Sequence, residues 1–403
     1  MRDSTRVLFV DNLRTLLCLL VVFNHSTEAY GTGGWWYYQS AGKAPLIVPY
    51  TLIRAFYMML FFMISGYFLP AAYDRKGAKA FIKDRLQRLG IPLLIFFLLV
   101  IPIMMYVYYV SFRGYGPISF WTYYLDIYFG FGEQPPGWTG PAWPDFQFGH
   151  LWFLQHLLIL DLAYVLWRAL RKRFPGRMRA LLSPPGHWSI LALIAALAGV
   201  TFFVRITHPI HRWIGILDFI QTMMSDLPRD WCFFVIGVIA YRNDWFRRFP
   251  TARTKTWLRT GLAAMALFSI LALLGEFSFV PGGYSWQAAV YALWETTVGC
   301  GLCIGLPVLF REKLNFQTPL MKTLGSNTYG VYLAHVPIVV LFQYLLGEST
   351  VAPTLKSFLV FIVAALLAYV LSIGSKRVFG TFGRLKSRKC ILAIPSSGEE
   401  GIA

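Results

Sequence analysis

Arg14 and His25 stand eleven residues apart in the apolar stretch 7–27. On a helix, eleven steps end about 20° past three full turns, so both side chains fall on one face. Asp11 and Glu28 lie on the same side. Four ionisable groups along one stripe are too costly to face hydrocarbon and must meet protein, water or a ligand. The chemistry they offer is proton transfer. The imidazole of His25 titrates near neutrality and can take and return a proton as a general base. Glu28, one turn further on, is placed to accept from the other ring nitrogen and hold the tautomer. Arg14 stays charged and suits an anion, a carbonyl or a pair with Asp11. The plainer alternative for His25 is a structural histidine bonded to a neighbouring helix.

Further candidates lie on later apolar stretches. Arg54 and Ser65 are again eleven apart and share a face of an unbroken helix. Ser65-Gly66 reads as a place of close backbone approach rather than a nucleophile, because local sequence sets no histidine or lysine beside it. Arg85 and Arg88, three apart and near Lys83, form a fork that can grip phosphates. Composition alone reads that fork as ordinary basic charge in contact with anionic lipid. His150 opens the fourth stretch with Asp161 on its face. His156 points elsewhere, and a six-residue spacing does not bring two rings to one metal, so no metal site is expected. Tyr332 and His335, at i and i+3, form either a second wall of the same cavity or a helix–helix hydrogen bond. In segment 111–149, Trp138 and Trp143 sit among Pro and Gly turns. They read as an interfacial aromatic belt with re-entrant loops, or as a platform for a sugar ring whose hydroxyls meet Glu133 and Asp145.

The elements that position these residues follow from composition. The chain of 403 residues is 57% hydrophobic and only 14% charged, against a soluble norm of about 25% charged. About ten apolar runs are long enough to cross a ~30 Å hydrocarbon core. They lie at 7–27, 46–69, 90–110, 150–168, 188–206, 219–241, 259–278, 286–310, 324–346 and 353–374. The sixth is the most charged, with Asp226, Arg229 and Asp230 in its first half and Asp218 directly before it. The expected fold is an all-α polytopic membrane domain over residues 1–375, followed by a basic, poorly ordered cytoplasmic tail, 376–403.

A net charge of +18 suggests nucleic acid in a soluble protein. Here 29 of the 37 Lys and Arg fall in alternate connecting segments, which puts both termini in the cytoplasm by the positive-inside rule. Nucleic-acid binding is not needed to explain the basicity. The first span is too long and too charged for a cleaved signal peptide and reads as a retained anchor. Five cysteines make no disulfide framework, and Cys300-x-x-Cys303 within an apolar helix reads as small packing residues.

Five fragments in order resemble the membrane acyltransferase-3 family over about residues 5–375. They are VDNLRTLLCLLVVFNH, FFMISGYFLP, Arg85-x-x-Arg88, HLWFLQHLL and LGSNTYGVYLAHVP. In overall style the closest branch is the one that places succinyl and acetyl groups on glucans. The resemblance implies an enzyme that carries acyl groups to extracytoplasmic glycans or glycolipids. It makes Arg14 and His25 active-site residues, and Arg85, Arg88 and nearby Lys83 contacts for an acyl-CoA donor, with no tightly bound cofactor. It places the protein in a bacterial inner membrane. No outer esterase-like domain fits in this length, so the acceptor meets the membrane domain directly or through a partner protein. Asn12 after Asp11 and the aromatic 111–149 segment depart from the family pattern and leave the acceptor open. Substrate contacts are expected from Trp138, Trp143, His150, Arg54, Ser65 and His335. A secondary transporter or flippase is the alternative reading, since intramembrane charges occur there too.

Overall fold

A computed structural model describes residues 8–31, 35–140, 142–173, 182–216 and 220–391. Ten helices carry the architecture: α1 (Leu8–Glu28), α2 (Ile47–Lys76), α3 (Ala78–Phe112), α4 (Gly149–Arg171), α5 (His187–Thr207), α6 (Leu227–Arg242), α7 (Thr251–Leu273), α8 (Trp286–Lys313), α9 (Pro319–Leu345) and α10 (Pro353–Ile391). Among the described residues the strands are β1 (Trp213–Ile216) and β2 (Ile220–Met223), an antiparallel pair with Trp213 opposite Met223. All the helices but α6 are long and apolar enough to cross a membrane. The protein is a polytopic all-α membrane protein.

The sixth passage differs from the continuous span expected over 219–241. Ile220–Met223 is strand, and α6 begins only at Leu227. Its sixteen residues reach about 24 Å at 1.5 Å per residue. They still join the two ends of the bundle. Arg229 in the first turn pairs with Asp226 and Glu295, and Arg242 in the last turn pairs with Asp74. Asp226, Arg229 and Asp230 avoid lipid by turning inward, where the hairpin gives way to the first turn of α6; Asp218 lies outside the described residues.

α2 is interrupted. It runs from Ile47 to Arg54, breaks at Ala55 and Phe56, and resumes from Tyr57 to Lys76. The expectation that Arg54 and Ser65 share a face assumes an unbroken helix, and the break falls between them. Arg54 turns into the ion cluster, whereas Ser65 is half-buried against helix. The close approach anticipated at Gly66 is present. A Cβ there would fall 2.1 Å from the Phe234 carbonyl oxygen of α6, and one on Gly237 would fall 2.0 Å from that of Met63. Two glycines facing each other across α2 and α6 let the backbones touch.

α1, α2 and α8 are the most enclosed helices, while α7 and α3 turn most of their surface outward. α3 contains two wide π turns, Leu86–Gly90 and Phe96–Val100. Such turns loosen the carbonyl ladder. Tyr128 Oη donates to Phe97 O at 2.8 Å and Tyr124 Oη to Leu98 O at 3.1 Å, tying segment 120–128 onto α3. The bundle therefore has an aromatic end, formed by 113–149 and the hairpin, and a basic end, where Arg168, Arg242 and Asp74 meet. α10 continues to Ile391. The remainder of the expected tail, 392–403, lies outside the described residues.

Candidate active site

At the aromatic end a cavity of about 330 Å³ opens between α1, α2, the start of α4, the hairpin and the start of α6. Its volume falls in the range of small-molecule sites, about 300–1,000 Å³. α1 contributes Asn24, His25 and Glu28 to the lining, the following loop Trp35 and Trp36, and α2 Tyr50, Arg54 and Tyr57. His150, Trp152, His211, Trp213, Asp226, Arg229 and Asp230 complete the walls.

One wall is made of imidazoles. His25 stacks on Trp36, with centroids 5.0 Å apart and planes at 14°. Its other ring neighbour is His335 at 5.3 Å, and His335 in turn meets His150 at 5.3 Å. His335 Nδ1 bonds Tyr332 O at 2.7 Å, and His150 Nε2 bonds Leu333 O at 3.3 Å. Tyr332 Oη donates to His150 O at 2.5 Å, which joins α9 to the start of α4. His335 itself is absent from the cavity lining, and its hydrogen bonds stay within α9; it stands behind His25 and His150 by ring contact, while the bond between helices is made by Tyr332. Glu28 faces the cavity, but its Oε1 accepts from Asn24 Nδ2 at 3.3 Å, while His25 Nδ1 lies buried with no hydrogen-bond partner. The ring is held by stacking, not by Glu28 at Nδ1.

Gln343 on α9 fixes the backbone and ring that carry this wall. Its Oε1 accepts from Trp36 Nε1 at 2.6 Å, and its Nε2 donates to the carbonyls of His25 and Ser26, each at 3.4 Å. The side chain is fully buried. Sequence reasoning missed it, although a glutamine inside an apolar span is the same kind of signal as Arg14 and His25.

The opposite wall is ionic. Asp226 receives Arg54, Arg205 at 2.9 Å and Arg229 at 2.8 Å. Glu295 of α8 receives Arg205 at 2.6 Å and Arg229 at 2.8 Å. All five side chains are buried, so each charge is held by a partner rather than by water. Arg54 was expected to touch substrate; it lines the cavity, but its guanidinium is engaged by Asp226. Burial lowers the His211 imidazole to about 4, with Arg54 pushing the same way, so that loop residue faces the cavity neutral.

The other candidates lie elsewhere. Trp138 and Trp143 do not line the cavity. They form an edge-to-face pair at 5.2 Å, Arg113 covers Trp138 at 4.4 Å, and Trp138 Nε1 donates to Ala142 O at 2.8 Å. Their faces are used within the loop. The aromatic wall is supplied instead by Trp35, Trp36, Trp152 and Trp213. Asp145 is closed off from any sugar by Arg113 at 2.7 Å and Tyr123 at 2.8 Å. Ser65 is also absent from the lining.

Arg14 sits about 16 Å along α1 from His25, half-exposed and 3.9 Å from Asp11. At the basic end Arg85 pairs with Asp161 at 3.1 Å and rests over Phe81, while the exposed Arg88 pairs with Asp84 at 2.9 Å. Lys83 is exposed beside them. The expected donor contacts are therefore grouped, and they are separated from His25 by most of the bundle.

An imidazole on a cavity wall within a bundle of this topology agrees with the motifs read from the sequence, and the family profile decides the assignment. The acyltransferase-3 profile, described as an acyltransferase domain, matches residues 7–374. The chain belongs to that family. It is similar to glucans biosynthesis protein C of Salmonella typhimurium (strain LT2), at 27% identity over 352 residues and 84% of each chain. It is also similar to the protein of the same name from Salmonella gallinarum, at 26% over the same share of each. As an acyltransferase-3 member, the chain is a membrane O-acyltransferase.

Proposed function

We propose that this enzyme moves an acetyl or succinyl group from cytoplasmic acyl-CoA to a hydroxyl of an extracytoplasmic glycan or glycolipid, in a bacterial inner membrane with both termini inside. The observation that carries the reading is His25, set by a stacked tryptophan on the wall of an aromatic-end cavity. The relatives' name, with its reference to glucan synthesis, supports a glycan acceptor. The basic connections support the orientation, because they place Arg85, Arg88 and Lys83 on the cytoplasmic side.

The donor's phosphates bind Arg85, Arg88 and Lys83, for which Asp161 and Asp84 must share their arginines. The pantetheine arm rises past Arg14 and brings the thioester toward His25. The acceptor enters at the aromatic end and stacks against Trp35, Trp36 or Trp213. His25 takes the proton of its hydroxyl as the oxygen bonds to the thioester carbonyl carbon. The carbon–sulfur bond then breaks, and the leaving thiolate takes that proton back from the imidazolium. Low water access around the rings protects the thioester from hydrolysis. The acyl-CoA is a co-substrate rather than a resident cofactor, and membrane lipid is the surrounding partner.

Purified protein in liposomes, given radiolabelled acetyl-CoA or succinyl-CoA with a panel of glucans, tests this. His25→Ala is expected to lower transfer by roughly 10²–10⁴-fold while still binding CoA. Arg85→Ala is expected to raise the donor KM. Unchanged labelling in both variants overturns the site.

A further inference from the structure

A general base that accepts a proton at one imidazole nitrogen carries an N–H on the other, and in the imidazolium both nitrogens donate. His25 has Nδ1 buried with no hydrogen-bond partner, which leaves Nε2 for the cavity. A buried N–H without an acceptor is costly, because its lost hydration is not replaced. Glu28 does not serve, since His25 Nδ1 has no hydrogen-bond partner and Glu28 Oε1 accepts from Asn24.

The neighbouring His335 shows the complementary lack. Its Nδ1 is the protonated nitrogen, because it bonds the carbonyls of Tyr332 at 2.7 Å and Val331 at 3.2 Å. Nε2 is then a lone-pair acceptor. It is buried and has no partner, on a side chain that is fully enclosed. The groups around His335 are His25, His150 and Tyr332. His150 donates its own proton from Nε2 to Leu333 O, and Tyr332 Oη donates to His150 O. Neither has a proton for His335. Of these rings, among the described residues, His25 is the one with a proton to give, its ring 5.3 Å away and tilted by 35°. Catalytic hydrogen bonds are often loose without substrate and tighten as the complex forms.

We infer that His335 is the positioning residue of His25, accepting the His25 Nδ1 proton at Nε2 and taking the part more often played by a carboxylate. His25 keeps its Nδ1–H throughout, while Nε2 receives the acceptor's hydroxyl proton and returns it to the departing thiolate. The inference rests on His25 being the base.

Three variants separate the possibilities in liposomes with labelled acetyl-CoA and succinyl-CoA and a glucan acceptor. In His335→Gln the amide oxygen reaches the place of Nε2; in His335→Asn it reaches only that of Nδ1. His335→Asn is expected to lower kcat about tenfold to a hundredfold with donor KM unchanged. His335→Gln is expected to recover most of that loss and to shift the pH midpoint of kcat, since an amide accepts but does not titrate. Equal kcat in the two variants, or an altered KM with kcat intact, overturns the positioning role. Should His335→Asn fail to fold, the His335→Gln profile decides: a shifted midpoint supports the inference and a wild-type profile overturns it. His25→Ala, assayed alongside, tells the two readings apart. If it still transfers, the base assignment itself fails. If it is inactive while His335→Asn matches wild type, only the present inference fails.

Discussion

The cavity has two walls built on opposite principles. On the imidazole wall, His335 meets His25 tilted and His150 edge-on, each at 5.3 Å, and each of the three leaves a ring nitrogen unpartnered. On the ionic wall, three buried arginines and two buried carboxylates pair with one another, Arg205 and Arg229 each reaching both Asp226 and Glu295 at 2.6–2.9 Å. Rings with unpartnered nitrogens are poised to exchange protons. Buried ion pairs resist change, because removing one partner strands a buried charge. The chemistry belongs on the first wall, and the second holds α2, α5, α6 and α8 in place around it.

Breaking the ionic wall tests this division most severely. Glu295→Ala leaves Arg205 and Arg229 facing each other with only Asp226 between them. It is expected to destabilise the fold by about 3–5 kcal/mol, seen as a large drop in thermal midpoint in detergent and as poor extraction. A variant of wild-type stability with reduced activity would move that wall from scaffold to chemistry. Gln343→Leu probes the support of the imidazole wall. It orphans Trp36 Nε1, at a cost of about 1–3 kcal/mol, and frees the ring on which His25 stacks. Transfer should fall in kcat with smaller loss of stability than Glu295→Ala gives. Equal losses in the two variants would erase the distinction between the walls.

How far the sequence carried the argument differs between those walls as well. The helical spans, the cavity-facing His25 and Glu28 and the glycine approach at Gly66 were legible because lipid leaves ionisable groups few places to go and close packing demands glycine. His25, His150 and His335 were each visible as buried imidazoles, but their meeting was not, since three separate helices bring them together. The ionic wall was harder. Asp226, Arg229 and Asp230 made the sixth span look insecure, and only the break in α2 and the short α6 reveal that Arg54, Arg205 and Glu295 neutralise them. The tryptophans misled for a related reason. Trp138 and Trp143 were chosen by composition, yet Arg113 and neighbouring rings cover them, while Trp36 and Trp213 reach the cavity through loop and hairpin geometry that no local pattern encodes.

A second buried ion pair sharpens the comparison by being less complete. Asp226 faces three guanidiniums, whereas Asp145, in the segment between α3 and α4, faces one, that of Arg113. Burial pushes the Asp145 carboxyl up to about 6; Arg113 and the Tyr123 hydroxyl pull against that shift without cancelling it. The ordinary carboxyl value is about 3.9. The folded state therefore binds this proton more tightly than the unfolded chain does. Its contribution is fully present below about pH 4 and is lost as pH rises through about 6. Asp145→Asn removes the titration and keeps an acceptor for Arg113. The difference in thermal midpoint between wild type and Asp145→Asn should therefore move against wild type from pH 4 to pH 6.5 and level off above. Parallel curves across that window would mean that Arg113 alone compensates the buried carboxylate, and that one guanidinium serves here as well as three do beside α6.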